Sequence, residues 1–152
     1  MRRSHRILLI AVAVVVFLGI SGLLARAFSV GGAENAAITS LVRAEARGDG
    51  SAVISLIQGC RSSAACRTMA NGLATRLVHP GTVSIAELNP SAQFSLGSTL
   101  GTARVAWFAG GSTPRVQCVR VRHAGNVLSG FHIELLTVSR RIAGGADCPA
   151  KF

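Results

Sequence analysis

The longest apolar run of the chain lies near its start. Residues 7–25 read ILLIAVAVVVFLGISGLLA, which is 19 residues without a charged side chain. As a helix this run would span about 28 Å, close to the thickness of a bilayer core. Arg2, Arg3 and Arg6 precede it, whereas only Arg26 follows within the next sixteen residues. The positive-inside rule therefore predicts a transmembrane helix with its N-terminus in the cytoplasm and the rest of the chain outside.

Export leaves two fates open for this segment. A cleaved signal peptide usually has an apolar core of about 7–15 residues, so the longer run favours a retained anchor. Ala25, Arg26 and Ala27 nevertheless form a small-x-small pattern that permits cleavage before Phe28. We therefore expect residues 1–27 to be a single-pass signal anchor in the cell membrane, with cleavage and free secretion as the alternative.

Helical periodicity continues after a short linker at residues 28–32. Residues 33–47 predict a helix that Gly48 ends, and its apolar face holds Ile38, Leu41 and Val42. A second, short helix would begin after a cap at Asp49 or Ser51. A third would follow a cap at Ser62 or Ser63. It has the clearest period of the chain, at positions 66, 69, 70, 73 and 77, and residues 79–81, His-Pro-Gly, would end it.

Strand patterns replace the helical ones after Pro80. Strands are predicted over residues 82–88, weakly over 93–96, over 102–109 and over 115–122, and a tight hairpin at 124–126 would lead into a long strand over 127–142. The apolar phase changes at Leu136 and again between Cys118 and Val119, which predicts bulges that curve the sheet. The fold class is therefore α+β, an N-terminal transmembrane helix followed by about three helices on a curved antiparallel sheet of four to five strands. Residues 33–148 would form the extracytoplasmic domain and residues 149–152 a tail.

Four cysteines lie beyond the export segment, which indicates two disulfides. Cys60 and Cys66 are six residues apart near a predicted helix junction, so a local bridge between them is sterically easy. That leaves Cys118, in a strand, to pair with Cys148 in the C-terminal part, and we favour this arrangement among the three possible pairings. A zinc site is the alternative, but five residues separate the first two cysteines where two to four are usual, so no metal is expected.

The helix that ends in Arg47-Gly48-Asp49, the hairpin from Val116 to Leu135 and the stretch AAITSLVRAEARGDGSAVISLI together carry a resemblance. They resemble the nuclear transport factor two-like cone fold that is shared with ketosteroid isomerase, and in particular small exported actinobacterial members, over residues 33–142. That superfamily holds enzymes and non-enzymatic accessory domains alike. Its enzymes place Asp, His or Tyr inside the cone. This chain has no Tyr, and its two Asp fall in predicted loops, so the resemblance implies no catalytic residue.

The candidate site residues lie in the predicted sheet. His132 and Glu134 are two apart in one strand and point the same way. One interpretation is a ligand pocket that they form with Trp107 and Phe131; the other is core packing of the two aromatic side chains. In the second case His132 and Glu134 belong to a surface charge cluster, together with arginines on neighbouring strands. Those arginines are Arg104, Arg120 and Arg122.

The net charge of the chain limits the classes of partner that we expect. The chain has a formal net charge of +10, and past residue 27 the 12 basic and 6 acidic residues leave +6. This field favours an anionic envelope component or a protein partner. Nucleic acid is not expected, because the arginines are scattered and lack interleaved aromatic side chains. With no cofactor motif, the sequence predicts a membrane-anchored, non-enzymatic accessory or binding domain. The alternatives are a ligand-binding or divergent cone-fold enzyme, and a freely secreted factor.

Overall fold

The computed structural model describes the backbone of residues 2–91, 99–126 and 130–152, and the side chains of residues 7–22, 31–91, 99–125 and 132–152. The chain divides into two compact units, Met1–Gly32 and Ala33–Phe152. Helix α1 spans Arg2–Ala46, so the predicted linker at residues 28–32 is helical. Helix α2 spans Gly50–Leu56, a 3-10 turn spans Cys60–Ser62, and helix α3 spans Ala64–Leu77.

The first unit exposes its apolar side chains. Between residues 7 and 20, eleven large aliphatic or aromatic side chains are 51% to 69% exposed. Within the described part of the chain, no helix is long and apolar enough to cross a membrane. The transmembrane helix predicted from the sequence therefore finds no support here.

In the second unit, the residues that end α1 and begin α2 and α3 are among those predicted from the sequence. Gly48 follows α1 with φ +73°, a left-handed conformation that glycine adopts without strain. Asp49 caps α2, because its side chain accepts a 2.9 Å hydrogen bond from the Ala52 amide. Ser63 caps α3 in the same way through the Cys66 amide. The two alternatives for each cap are thus decided in favour of Asp49 and Ser63.

The strands form one antiparallel sheet. Strands β1 (Val83–Asn89), β2 (Thr99–Ala109), β3 (Arg115–Asn126) and β4 (Gly130–Val138) pair in the order β1-β2-β3-β4. The α+β class and a four-stranded antiparallel sheet are confirmed. The weak strand predicted at 93–96 lies outside the described residues.

Two predictions for the last hairpin are wrong. Residues 124–126, predicted to be its turn, are the final residues of β3 and pair with residues 130–132 of β4. The pairing continues because Gly125 keeps a positive φ of 99° without leaving the ladder. The last strand ends at Val138, four residues earlier than predicted, and Ile142 makes only an isolated bridge to Val116.

Bulges interrupt both edge strands. The predicted bulge at Leu136 is confirmed, because Arg120 pairs with Thr137 whereas Val121 pairs with Leu135. A second bulge lies in β1 at Ala86, between Ile85 and Glu87. The change of phase in β3 has another cause, since the pairing of β2 with β3 is regular. Both faces of β3 are buried there, because the C-terminal segment is held over the outer face by the Cys118–Cys148 disulfide and by Arg104 and Arg120.

One hydrophobic core fills the space between the helices and the inner face of the sheet. Trp107, Val105 and Val121 supply its sheet side and are fully buried. The helices supply Ile38, Leu41, Val42, Val53, Ala70, Leu73 and Leu77. The buried tryptophan and the branched aliphatic side chains around it fill this interior.

Two disulfides close the domain, Cys60–Cys66 and Cys118–Cys148. They have the pairing predicted from the sequence, and they use every cysteine of the chain. The first joins the 3-10 turn to the start of α3, and Cys60 lies in the core. The second fastens the C-terminal segment to the outer face of β3.

Candidate functional site

The described side chains of the predicted pocket lie on two faces of the sheet. Trp107 is fully buried on the inner face, and its Nε1 donates a 2.7 Å hydrogen bond to Gln117 Oε1. His132 and Glu134 lie on the outer face with their Nε2 and Oε1 atoms 3.4 Å apart, and the His132 side chain is 63% exposed. The side chain of Phe131 lies outside the described residues. The structure thus brings His132 and Glu134 together but separates them from Trp107.

Two of the three predicted arginines make ion pairs with carboxylates on neighbouring strands. Arg122 Nη1 lies 3.2 Å from Glu134 Oε2, and Arg104 Nη1 lies 3.5 Å from Glu87 Oε2. Glu87 is about half exposed, and so is Arg122. Because water screens such pairs, each contributes at most about 1 kcal/mol to the free energy of folding.

The outer-face arginines also hold the C-terminal segment. Arg104 donates hydrogen bonds to the carbonyls of Gly144 and Ala146. Arg120 donates to the carbonyl of Ala150 at 2.6 Å, and its guanidinium lies 5.2 Å from the centre of the Phe152 ring. Together with the Cys118–Cys148 disulfide, these contacts fix the segment against the sheet. Arg104 and Arg120 therefore act here as structural anchors.

A chain of buried polar side chains crosses the core. Gln117 is fully buried, and it connects Trp107 to Glu45, whose Oε1 accepts a 3.4 Å hydrogen bond from Gln117 Nε2. Gln117 Nε2 also donates to the Ser139 carbonyl at 3.2 Å. Glu45 Oε2 is buried and has no hydrogen-bond partner among the described residues. Desolvation raises the pKa of Glu45 to about 8, although the Gln117 hydrogen bond opposes this shift. The core therefore holds a neutral carboxylic acid at pH 7.

A second buried cluster contains a serine, a histidine and a carboxylate. Glu34 is 1% exposed, and its Oε2 lies 2.9 Å from His123 Nε2. Glu34 Oε1 accepts hydrogen bonds from the Ser91 amide at 2.8 Å and from Ser91 Oγ at 3.0 Å. Gly101 makes room for this arrangement, because a Cβ there would lie 2.6 Å from Ser91 Oγ. The cluster thus joins α1, the residues after β1, and β3.

The geometry of this cluster does not activate the serine. In a catalytic triad the base contacts the hydroxyl with one ring nitrogen and the carboxylate with the other. Here His123 Nε2 lies near both, 3.3 Å from Ser91 Oγ and 2.9 Å from Glu34. A single ring nitrogen cannot donate to the carboxylate and accept the serine proton together. The cluster therefore satisfies buried polar groups and supplies no nucleophile.

A basic groove of about 610 Å³ opens where α1 ends. One wall is the last turn of α1, with Arg43 and Ala46, together with Arg47 directly after it, and the other is the connection from α3 to β1. The second wall and the floor hold Val78, His79, Pro80, Gly81 and Val83. None of the described residues that line the groove is acidic. The nearby carboxylate of Asp49 accepts hydrogen bonds from Ala52 and Ser51, which lower its pKa, and the charge of Arg47 lowers this pKa further.

Backbone contacts hold the second wall in place. The His79 amide donates a 2.9 Å hydrogen bond to the Ala46 carbonyl at the end of α1. Gly81 and Gly110 approach so closely that a Cβ on Gly81 would lie 2.7 Å from the Gly110 Cα. Both glycines have positive φ, 110° and 56°, so neither position accepts another residue without strain. The groove is therefore preformed.

Further positive charge stands behind the groove. Arg115 Nη2 lies 2.6 Å from His79 Nε2, and Arg115 is stacked 5.5 Å from the centre of the Trp107 ring. Arg115 Nη2 also lies 3.0 Å from His79 Nδ1, and since a guanidinium only donates, the bonding ring nitrogen of His79 accepts. Burial, followed by the charge of Arg141, lowers the pKa of Arg115. An anion in the groove would therefore meet Arg43 and Arg47 directly and the field of Arg115 and Arg141 beyond His79.

No metal site is assembled in the described ranges 2–91, 99–126 and 130–152, where no three His, Cys, Asp or Glu side chains converge.

The buried polar residues were not predicted from the sequence, although the sequence contains a signal for them. Positions 34, 38, 41, 42 and 45 share one helical face, which places Glu34 and Glu45 among apolar residues. Likewise, alternation with Val119 and Val121 places His123 on the inner face of β3.

Comparison with known proteins adds no assignment. No protein family, no curated protein and no solved structure was found to match this chain.

Proposed function

We propose that this protein is an exported, non-enzymatic binding domain of the cell envelope. The observation that carries the proposal is that all four cysteines are paired in two disulfides. Disulfides persist in oxidising compartments outside the cytoplasm, and the intracellular glutathione and thioredoxin systems reduce them.

The N-terminal segment supports an attachment at the membrane. Its exposed large apolar side chains between residues 7 and 20 need a covering of lipid or protein in water. The arginines before this segment favour a cytoplasmic N-terminus and an external C-terminal domain. Cleavage after Ala27 with free secretion is the alternative within the same proposal.

The interior supports a role in binding over catalysis. Trp107 and aliphatic side chains fill the space under the sheet, and the buried polar groups mostly satisfy one another. A pocket built on Trp107 and His132 gains no support, because the two side chains lie on opposite faces. The envelope partner would meet the domain at its surface, where the net charge of the chain past residue 27 is positive.

Location and thiol state test the proposal directly. The native protein is recovered from cell fractions, alkylated before and after reduction, and weighed by mass spectrometry. We expect it in the envelope or the medium, with four thiols that react only after reduction. A mass that includes Met1 indicates a retained segment, and a chain that begins at Phe28 indicates secretion. Native protein in the cytosol with four reactive thiols would contradict the proposal.

A further inference from the structure

We infer that the basic groove at the end of α1 binds a phosphate ester whose organic part is apolar. The inference rests on the proposed binding function and names the ligand class for it. Its evidence is the charge, shape and lining of the groove, none of which involves the disulfides or the N-terminal segment.

The first step is the positive charge of the residues that line the groove. Arg43 lies in the last turn of α1 and Arg47 directly follows the helix, and both line the groove. An arginine at the end of a helix also interacts favourably with the helix dipole. No acidic residue lines the groove among the described residues, so the two arginines leave it positively charged, although Arg47 also interacts with Asp49 beside it.

The second step is the kind of anion. Guanidinium groups donate two parallel hydrogen bonds to phosphate or carboxylate oxygens. Two guanidiniums and the His79 ring line one groove, and Arg115 lies 2.6 Å behind that ring. Two guanidiniums in one groove suit a phosphate, whose three free oxygens can accept from both at once.

The third step is the apolar lining. Val78 is 50% exposed, and Ala46, Pro80 and Val83 share the groove with the arginines. The volume of about 610 Å³ is in the range of small-molecule sites and well above that of a phosphate alone. An alkyl or acyl portion next to the phosphate would cover Val78 and Val83. Such a molecule can be a lipid in a bilayer or a soluble ester.

The test uses the full chain in a neutral detergent with hexyl phosphate as the probe. Binding is followed by calorimetry and by the fluorescence of Trp107, the single tryptophan, which Arg115 links to His79. Inorganic phosphate lacks the apolar part, and hexanol lacks the charge. We expect saturable binding of hexyl phosphate at least about tenfold tighter than that of either comparison probe. Absence of saturable binding, or equal affinity for inorganic phosphate, would overturn the inference.

Paired variants separate the groove from general charge attraction. The double variant Arg43→Gln/Arg47→Gln is compared with Arg61→Gln/Arg67→Gln, which removes the same charge from exposed arginines outside the groove. We expect the first to weaken binding of hexyl phosphate at least about tenfold and the second by less than about twofold. Equal losses would mean non-specific attraction and would overturn the site. Because wild-type selectivity among the three probes needs no variant, poor folding of either double variant leaves the inference testable.

The source of the ester is distinguished with vesicles. Phosphatidic acid in phosphatidylcholine vesicles is compared with phosphatidylcholine alone, using the same Trp107 signal. A response to phosphatidic acid that Arg43→Gln/Arg47→Gln abolishes supports a bilayer lipid, and a response to hexyl phosphate alone supports a soluble ester. No response to either overturns the inference but leaves the thiol and location experiment unaffected, so the two failures are distinguishable.

Discussion

Glu45 shows how one residue controls the pH dependence of this domain. Its carboxyl is fully buried, accepts one long hydrogen bond from Gln117 and has a pKa of about 8. In the unfolded chain its pKa is the ordinary 4.5. Between these two values the folded state holds a proton that the unfolded state has released. The free energy of unfolding therefore falls as pH rises through this window, by up to about 1.4 kcal/mol per pH unit from this group.

A glutamine at this position tests that account. We expect Glu45→Gln to remove the decline in the free energy of unfolding between pH 5 and pH 8, because glutamine does not ionise and keeps an acceptor for Gln117. At pH 8 the variant should be more stable than the parent chain, as measured by urea denaturation. Glu87→Gln, on an exposed carboxylate, is the control and should leave the pH profile unchanged. Parallel profiles for Glu45→Gln and the parent chain would contradict the pKa.

Residue patterns predicted the caps and missed the buried acids. Each cap was narrowed to two candidates, which include Asp49 and Ser63, because a capping side chain acts on amides within three residues and the information is local. Glu34 and Glu45 were missed because acidic residues are seldom buried, although both lie on the apolar face of α1. Their partners His123 and Gln117 come from a strand more than seventy residues away. No local pattern contains such a pairing.

At the scale of elements, the two disulfides differ in the length of chain they close. Cys60–Cys66 spans a sequence separation of 6 and Cys118–Cys148 one of 30. Chain-entropy arguments assign about 2 kcal/mol to the shorter loop and about 3–4 kcal/mol to the longer one. The longer bridge also holds the segment that Arg104 and Arg120 contact.

Serine pairs make this comparison measurable. We expect Cys118→Ser/Cys148→Ser to lower the free energy of unfolding more than Cys60→Ser/Cys66→Ser does, in chemical denaturation of both variants. Hydrogen exchange should also speed up at the amides of Ser139 and Ile142, which bond to Cys118 and Val116. A greater loss from the Cys60–Cys66 pair would show that burial of Cys60 outweighs loop length.

Features of a strand were predicted correctly where they depend on the residues of that strand alone. The bulge at Leu136 follows from a change of apolar phase along β4, and the sheet has it there. The hairpin at residues 124–126 was misplaced because Gly125 has the positive φ of a turn while still paired in β3. The pattern reported the conformation of one residue, and it could not report how far two strands stay paired. Strand ends depend on partners, and partners are not visible in a single sequence.

At the scale of the whole molecule, the two units differ in their surfaces. Residues 7–20 expose eleven large apolar side chains, whereas in the described part of 33–152 only Val78 and Leu100 are large apolar side chains of this exposure. The exposed apolar area of residues 7–20 promotes association with detergent or lipid. The difference follows from the uninterrupted apolar run at residues 7–25.

Detergent partitioning checks this difference. We expect the full chain to enter the detergent-rich phase when a Triton X-114 solution is warmed. A chain that begins at Ala33, or the native product if it begins at Phe28, should stay in the aqueous phase. Circular dichroism and the non-reduced mass provide the control that the shorter chain is folded. Aqueous partitioning of the full chain would contradict an uncovered apolar segment.

The fastening of the C-terminal segment across β3 has a consequence for the timing of maturation. A chain is synthesised from its N-terminus, so Cys60 and Cys66 become available together, while Cys118 must wait for the last residues. Until Cys148 is synthesised, Arg104 of β2 and Arg120 of β3 lack their carbonyl partners, and the outer face of the sheet stays exposed to water. A truncated or stalled product would thus carry an unpaired, reachable thiol at Cys118, a chemical mark by which incomplete copies differ from finished ones.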